Sequence, residues 1–142
     1  MRVLFDTNVF ISFLLPSSDR DTITQIIDAA FKRKFALLIS QEIVEEFSNA
    51  IARKKYLSKR ITNEDANQFI KSIAEIAHII PALSVRLPST VRDIKDNYLI
   101  TYAVIGNTDY LVTGDKDLLT LKKVGEVKIV TPKKFLQILK AK

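Results

Sequence analysis

Carboxylates stand in this chain where a hydrophobic core ought to begin or end. The apolar run Val3-Leu4-Phe5 stops on Asp6-Thr7-Asn8, and apolar Val9-Phe10-Ile11 resumes at once. A short apolar run predicts a buried strand, and the carboxyl end of such a strand is where α/β folds place their chemistry. Tyr110-Leu111-Val112-Thr113 repeats the pattern, running into Gly114-Asp115 with Asp117 two residues on. Gly114 would permit a tight turn or a close approach to the backbone. After Ser40, residues Ile43, Val44, Phe47, Ala50 and Ile51 form an apolar stripe at about 100° per residue. Glu45 falls on the far side of that helix, whereas Glu46 lies at the edge of the stripe, where a side chain enters a cleft. Asp96 projects onto the same face as Leu99, Ile100, Ala103 and Val104, and Asp93 is placed to cap that helix in its stead. Each acid also has an ordinary explanation. Asp6 and Asp96 could be helix caps, Glu46 could belong to a solvated face, and Asp117 could cap a short helix at Leu118.

Four carboxylates gathered by a parallel sheet would repel one another unless protonated or neutralised. A hard divalent cation such as Mg²⁺ neutralises them with oxygen ligands, lowers the pKa of a bound water and can clamp an attacked phosphodiester. The rest of the chain supplies little competition. A single histidine, His78, and no cysteine leave no zinc site and no Ser-His-Asp triad. His78 reads as an ordinary helix-end residue. Three glycines cannot build a P-loop or a dinucleotide fingerprint.

The elements that must position these acids follow from periodicity and caps. Residues 2–6, Phe35–Ile39, Ile79-Ile80, Tyr110–Thr113 and Lys128–Val130 are expected to be strands. Helices are expected from Asp6 through Leu14, and from Asp21 with Ile23, Ile26, Ile27, Ala30 and Phe31 inward. Others run from Ser40 to about Lys55, from Thr62 through Ala77 behind a capping box, and from Ile94–Asp96 to Gly106-Asn107. Pro132 opens a last helix at its first position. Strands alternating with helices predict a three-layer α/β/α sandwich around a mainly parallel sheet, as one domain over residues 1–142.

Composition bounds the function further. The chain has 142 residues, 47% of them hydrophobic, which suits a compact globular fold. No apolar run is long enough to span a bilayer, and neither a signal segment nor a cysteine framework is visible, so a cytoplasmic location is expected. The 22 Lys and Arg against 16 Asp and Glu leave a net charge of +6, which suits a nucleic-acid partner and equally a lysine-rich soluble surface. Lys32-Arg33-Lys34, Arg53-Lys54-Lys55, Lys59-Arg60, Lys122-Lys123 and Lys133-Lys134 are candidate contacts, although most fall near helix C-termini, where they complement the dipole. Tyr98 and Tyr102 are expected to face away from the core, free to stack on bases or pack in a dimer.

Asp6-Thr7-Asn8, Ser40 followed by Glu46, Asp93-x-x-Asp96 and Leu111-Val112-Thr113-Gly114-Asp115 together resemble the PIN domain, and more closely its bacterial and archaeal VapC-like toxin branch. The likeness spans essentially the whole chain, and the ordered set of four motifs is specific where one alone is not. The resemblance implies a Mg²⁺- or Mn²⁺-dependent endoribonuclease leaving 5′-phosphate and 3′-hydroxyl ends. It implies catalytic and metal-binding roles for Asp6, Glu46, Asp96 and Asp115, and supporting roles for Asn8 and Thr113. Asp93 and Asp117 match acids that recur in the branch. It also implies a homodimer and, for a toxin, a cognate antitoxin protein occupying the cleft. A housekeeping RNA-processing nuclease and a non-catalytic RNA-binding module are the alternatives. A phosphatase using a strand-end Asp nucleophile fits poorly, because Asn8 stands where it needs a second Asp.

Overall fold

The structure, a computed structural model, describes residues 1–15, 20–81 and 98–142. Its centre is a six-stranded sheet in the order β3-β2-β1-β4-β6-β5. The strands are β1 Arg2–Phe5, β2 Ala36–Ser40, β3 His78–Ile80, β4 Tyr110–Val112, β5 Lys123–Val124 and β6 Val127–Val130. Every pairing is parallel except that of β5 with β6. Val3, Leu4 and Phe5 are fully buried in succession, and successive strand side chains point to opposite faces, so both faces of β1 are covered. That is the mainly parallel α/β sheet which alternating short apolar runs and helical patterns predict.

The helices are α1 Thr7–Leu14, α2 Arg20–Phe31, α3 Gln41–Arg53, α4 Lys55–Ser58, α5 Asn63–Ile76, α6 Tyr98–Ile105, α7 Lys116–Leu119 and α8 Pro132–Lys140. Several start on the caps legible in the sequence. The Ser40 hydroxyl accepts the Ile43 N–H at 3.2 Å, Thr62 accepts that of Asp65 at 3.0 Å, and Pro132 fills the first turn of α8. Phe5 at the end of β1 is wedged among Phe10, Phe35 and Phe135, with ring centroids 5.8, 5.9 and 6.1 Å away. These rings fix the strand end from which Asp6 projects.

Chain order creates a topological switch beside β1. The path β1-β2-β3 steps one way across the sheet, and β4 then returns to the other side of β1. The pairing Phe5↔Val112 therefore sets the next residues, Asp6 and Thr113, side by side at the carboxyl edge. The Asp6 N–H extends the ladder to the Val112 carbonyl at 2.9 Å.

Four expectations need correction. Phe31 is exposed at the end of α2 rather than inward. His78 opens β3 rather than ending a helix. Gly114 has open space where a Cβ would stand and no left-handed φ, so neither a close approach nor strain requires glycine there. Tyr102 is fully buried rather than turned outward, and Tyr98 packs partly buried against the core. Helix α6 buries Leu99, Ile100, Thr101, Tyr102 and Ala103 in succession and exposes Ile105 only at its end, so the Tyr102 ring has no solvent face from which to stack on a base. Beyond α6, Asn107 takes the left-handed conformation at φ 50°, as expected of a helix stop. At Gly106 a Cβ would come within 3.0 Å of Ile80 Cδ1 and 3.1 Å of the Tyr102 carbonyl oxygen, so this glycine admits the close packing of α6 on the sheet.

Candidate active site

Asp6 is only 5% exposed, and both oxygens of its carboxylate accept hydrogen bonds. Its Oδ1 accepts the Asn8 N–H at 3.4 Å, a long capping bond at the start of α1. Its Oδ2 accepts the Thr113 hydroxyl at 2.7 Å. The Thr113 Oγ1 in turn accepts the Asp115 N–H at 3.0 Å. Thr113 is fully buried, and donating one bond while accepting another orients its hydroxyl from β4 toward the end of β1. At Asn8 it is the backbone amide, not the side chain, that meets Asp6.

Burial raises the Asp6 pKa above its ordinary 3.8, against the bonds from Thr113 and Asn8. The charge of Asp115 raises it further. Asp115 is exposed and is itself the cap of α7, its Oδ1 accepting the Asp117 N–H at 2.9 Å. Asp117 is thus in the first turn of α7 rather than its cap. Glu46 lies on α3, one helix after β2. Its pKa is raised above 4.5, first by partial burial of the carboxylate and then by the Asp6 charge, with the Thr7 hydroxyl and Lys54 opposing. Glu46 as a whole residue is exposed, so solvent screens much of this coupling. Glu45 is exposed on the same helix and accepts a 3.4 Å bond from Gln41.

Asp6 therefore interacts electrostatically with Asp115 on one side and with Glu46 on the other. Asp93 and Asp96 lie outside the described residues. Among the described residues, no group of three His, Cys, Asp or Glu side chains is close enough to hold a metal ion. The chemistry of the donors nevertheless suits a hard divalent cation. They are carboxylate oxygens, the central one is desolvated, and like charge makes ionisation costlier still, from Asp115 onto Asp6 and from Asp6 onto Glu46.

A family model described as PIN domain matches residues 2–117. The chain belongs to the PIN domain family. PIN domains are generally nucleases that use divalent metal ions, which places a hydrolase function on this fold. The crystal structure of PAE2754 from Pyrobaculum aerophilum aligns over 100% of this chain and 91% of its own, with a TM-score of 0.68 at 18% identity, a likeness of fold. No curated protein matches the chain.

In this PIN domain the acids of β1 and β4 stand at the switch point, while the basic clusters divide between the sheet's two ends. Lys32-Arg33-Lys34 leads from α2 into the amino end of β2, on the side away from Asp6. Exposed Lys133 and Lys134 occupy the first turn of α8, directly after the carboxyl end of β6, on the side of the acids. Thr7 is the site residue that sequence reasoning passed over. It stands in the middle of Asp6-Thr7-Asn8, 2% exposed, beside both Asp6 and Glu46. A β-branched hydroxyl between two polar site residues was the available signal. No helix among the described residues is long and apolar enough to cross a membrane.

Proposed function

We propose that this PIN domain is a Mg²⁺- or Mn²⁺-dependent endoribonuclease, acting as the toxin of a toxin–antitoxin pair and cutting RNA to 5′-phosphate and 3′-hydroxyl ends. The observation that carries the reading is the Asp6 carboxylate, buried, bonded to Thr113 and charge-coupled to Asp115 and Glu46, at the switch point of a PIN fold. Burying a carboxylate among like charges is costly unless a cation is part of the design.

Asp6, Asp96 and Asp115 would hold the cation, with Glu46 beside them. When bound, the cation neutralises these acids and polarises a phosphodiester and its attacking water. Thr113 fixes the orientation of the Asp6 carboxylate, because its hydroxyl is bonded to Oδ2. Glu46, with its pKa raised, is suited to receive a proton from the attacking water. Lys133 and Lys134 supply positive charge on the acids' side to draw RNA in. A homodimer and an antitoxin seated over the acids complete the proposal.

The test is to incubate the purified protein with total cellular RNA, with and without Mn²⁺, and map new 5′ ends. We expect metal-dependent 5′-phosphate ends that disappear in Asp6→Asn. Wild-type cleavage by Asp6→Asn in the presence of metal would overturn the site. Growth arrest on expression, relieved by the product of an adjacent gene, assigns the toxin role. Cleavage without arrest assigns the protein to RNA processing instead.

A further inference from the structure

Among the described residues, three buried side-chain oxygens have no hydrogen-bond partner: Thr7 Oγ1, Tyr98 OH and Thr108 Oγ1. Of these, Thr7 adjoins Asp6 and Glu46. It is the first residue of α1, 2% exposed, and its backbone amide helps hold Asp6. A buried hydroxyl left unpaired costs stability, and valine would fill the same volume without that cost. The first helical position asks for no hydroxyl either, since capping is already done by Asp6. Folding alone gives no reason for threonine here. The group that interacts with this hydroxyl is Glu46, whose carboxylate feels it without a closed hydrogen bond.

We propose that Thr7 is a positioning residue for Glu46. Its hydroxyl donates a hydrogen bond to the ionised Glu46 carboxylate when the acids are loaded with a divalent cation, holding Glu46 toward Asp6. The hydroxyl is thus kept for the loaded site at a cost to the fold, as supporting partners of ligating carboxylates commonly are. This inference rests on the metal-dependent reading above.

The test combines Mn²⁺ titration by calorimetry with thermal melting of the full chain in EDTA. Thr7→Val is expected to melt higher than wild type in EDTA, yet to bind Mn²⁺ on the order of tenfold more weakly. Thr7→Ser, which keeps the hydroxyl, is expected to recover wild-type affinity. With RNA, Thr7→Val should lose kcat while KM holds. Thr7→Ala run in parallel removes the hydroxyl without a second γ-methyl, so a packing fault of valine does not decide the outcome. Wild-type Mn²⁺ affinity in both Thr7→Val and Thr7→Ala would overturn the proposal, as would equal weakness in Thr7→Ser. Asp6→Asn separates the two layers of argument. If it binds Mn²⁺ as wild type does, the metal site itself fails. If it loses Mn²⁺ while Thr7→Val keeps it, only the role of Thr7 fails.

Discussion

Asp6 accepts hydrogen bonds from Thr113 and Asn8 and still sits above its ordinary pKa, because desolvation outweighs them. That balance predicts a pH dependence with a definite sign. A carboxylate whose native pKa is raised contributes its full stability below the unfolded value, and loses it as pH rises through the native value. Asp6 and Glu46 both shift upward. In EDTA, their contribution should therefore favour the native state at about pH 4 and weaken toward neutrality. Melting temperature against pH should show this fall, and Asp6→Asn should flatten it; a wild-type slope in that variant would refute the assignment. Thr113→Val makes a second case. It removes the 2.7 Å bond to Asp6 Oδ2 and leaves the carboxylate buried without its hydroxyl donor. A bond to a charged group is worth about 1.5–3 kcal/mol. Denaturant unfolding in EDTA should show a loss of that order at neutral pH, shrinking under acid as Asp6 takes up a proton.

Helices α3 and α6 carry or follow the acids, and a hydrogen bond joins them. The Tyr102 hydroxyl donates to Glu42 Oε1 at 2.8 Å. Glu42 is only partly exposed, while Tyr102 is wholly buried. Tyr102→Phe should cost about 1 kcal/mol in urea unfolding, a modest figure because Glu42 can turn back to water. No loss would mean that this hydrogen bond adds nothing to the hold on α6. The same pair shows where sequence reading succeeds and fails. Helix α3 was legible because its inward stripe of Ile43, Phe47, Ala50 and Ile51 alternates with acids at the helical period, and Ser40 announces its start. Helix α6 has no such contrast: polar Thr101 and Tyr102 are buried along with Leu99 and Ile100, so pattern alone could not tell which side faces water. The short β5 strand, Lys123–Val124, and the single-turn α4 escaped notice because two to four residues carry no period at all. Asp6 and Asp115 were legible as strand-end breaks, whereas the orphan hydroxyl of Thr7 depends on what surrounds it, which no local pattern encodes.

Across the molecule, the parallel sheet does the gathering. Residues 6 and 113, far apart in the chain, become neighbours because β4 pairs with β1 at the switch point, and Asp115 follows within one turn. A switch point of this kind concentrates charge that protonation or a bound cation must offset, and that ties cation binding to global stability. A cation that binds the native state alone stabilises it by about 2.7 kcal/mol at a hundredfold excess over its Kd. For a chain of this size, that corresponds to a rise in melting temperature on the order of 5–10 °C. Mn²⁺ should therefore raise the melting temperature by several degrees, and more strongly at neutral pH than near pH 4, where protons compete for the same carboxylates. This dependence runs opposite to that of the protein in EDTA, so the two melting curves should diverge as pH rises. Asp6→Asn should abolish the Mn²⁺ increment at every pH. Parallel curves, with or without Mn²⁺, would mean that the carboxylates at this switch point do not take up the metal, and the catalytic proposal would fall with them.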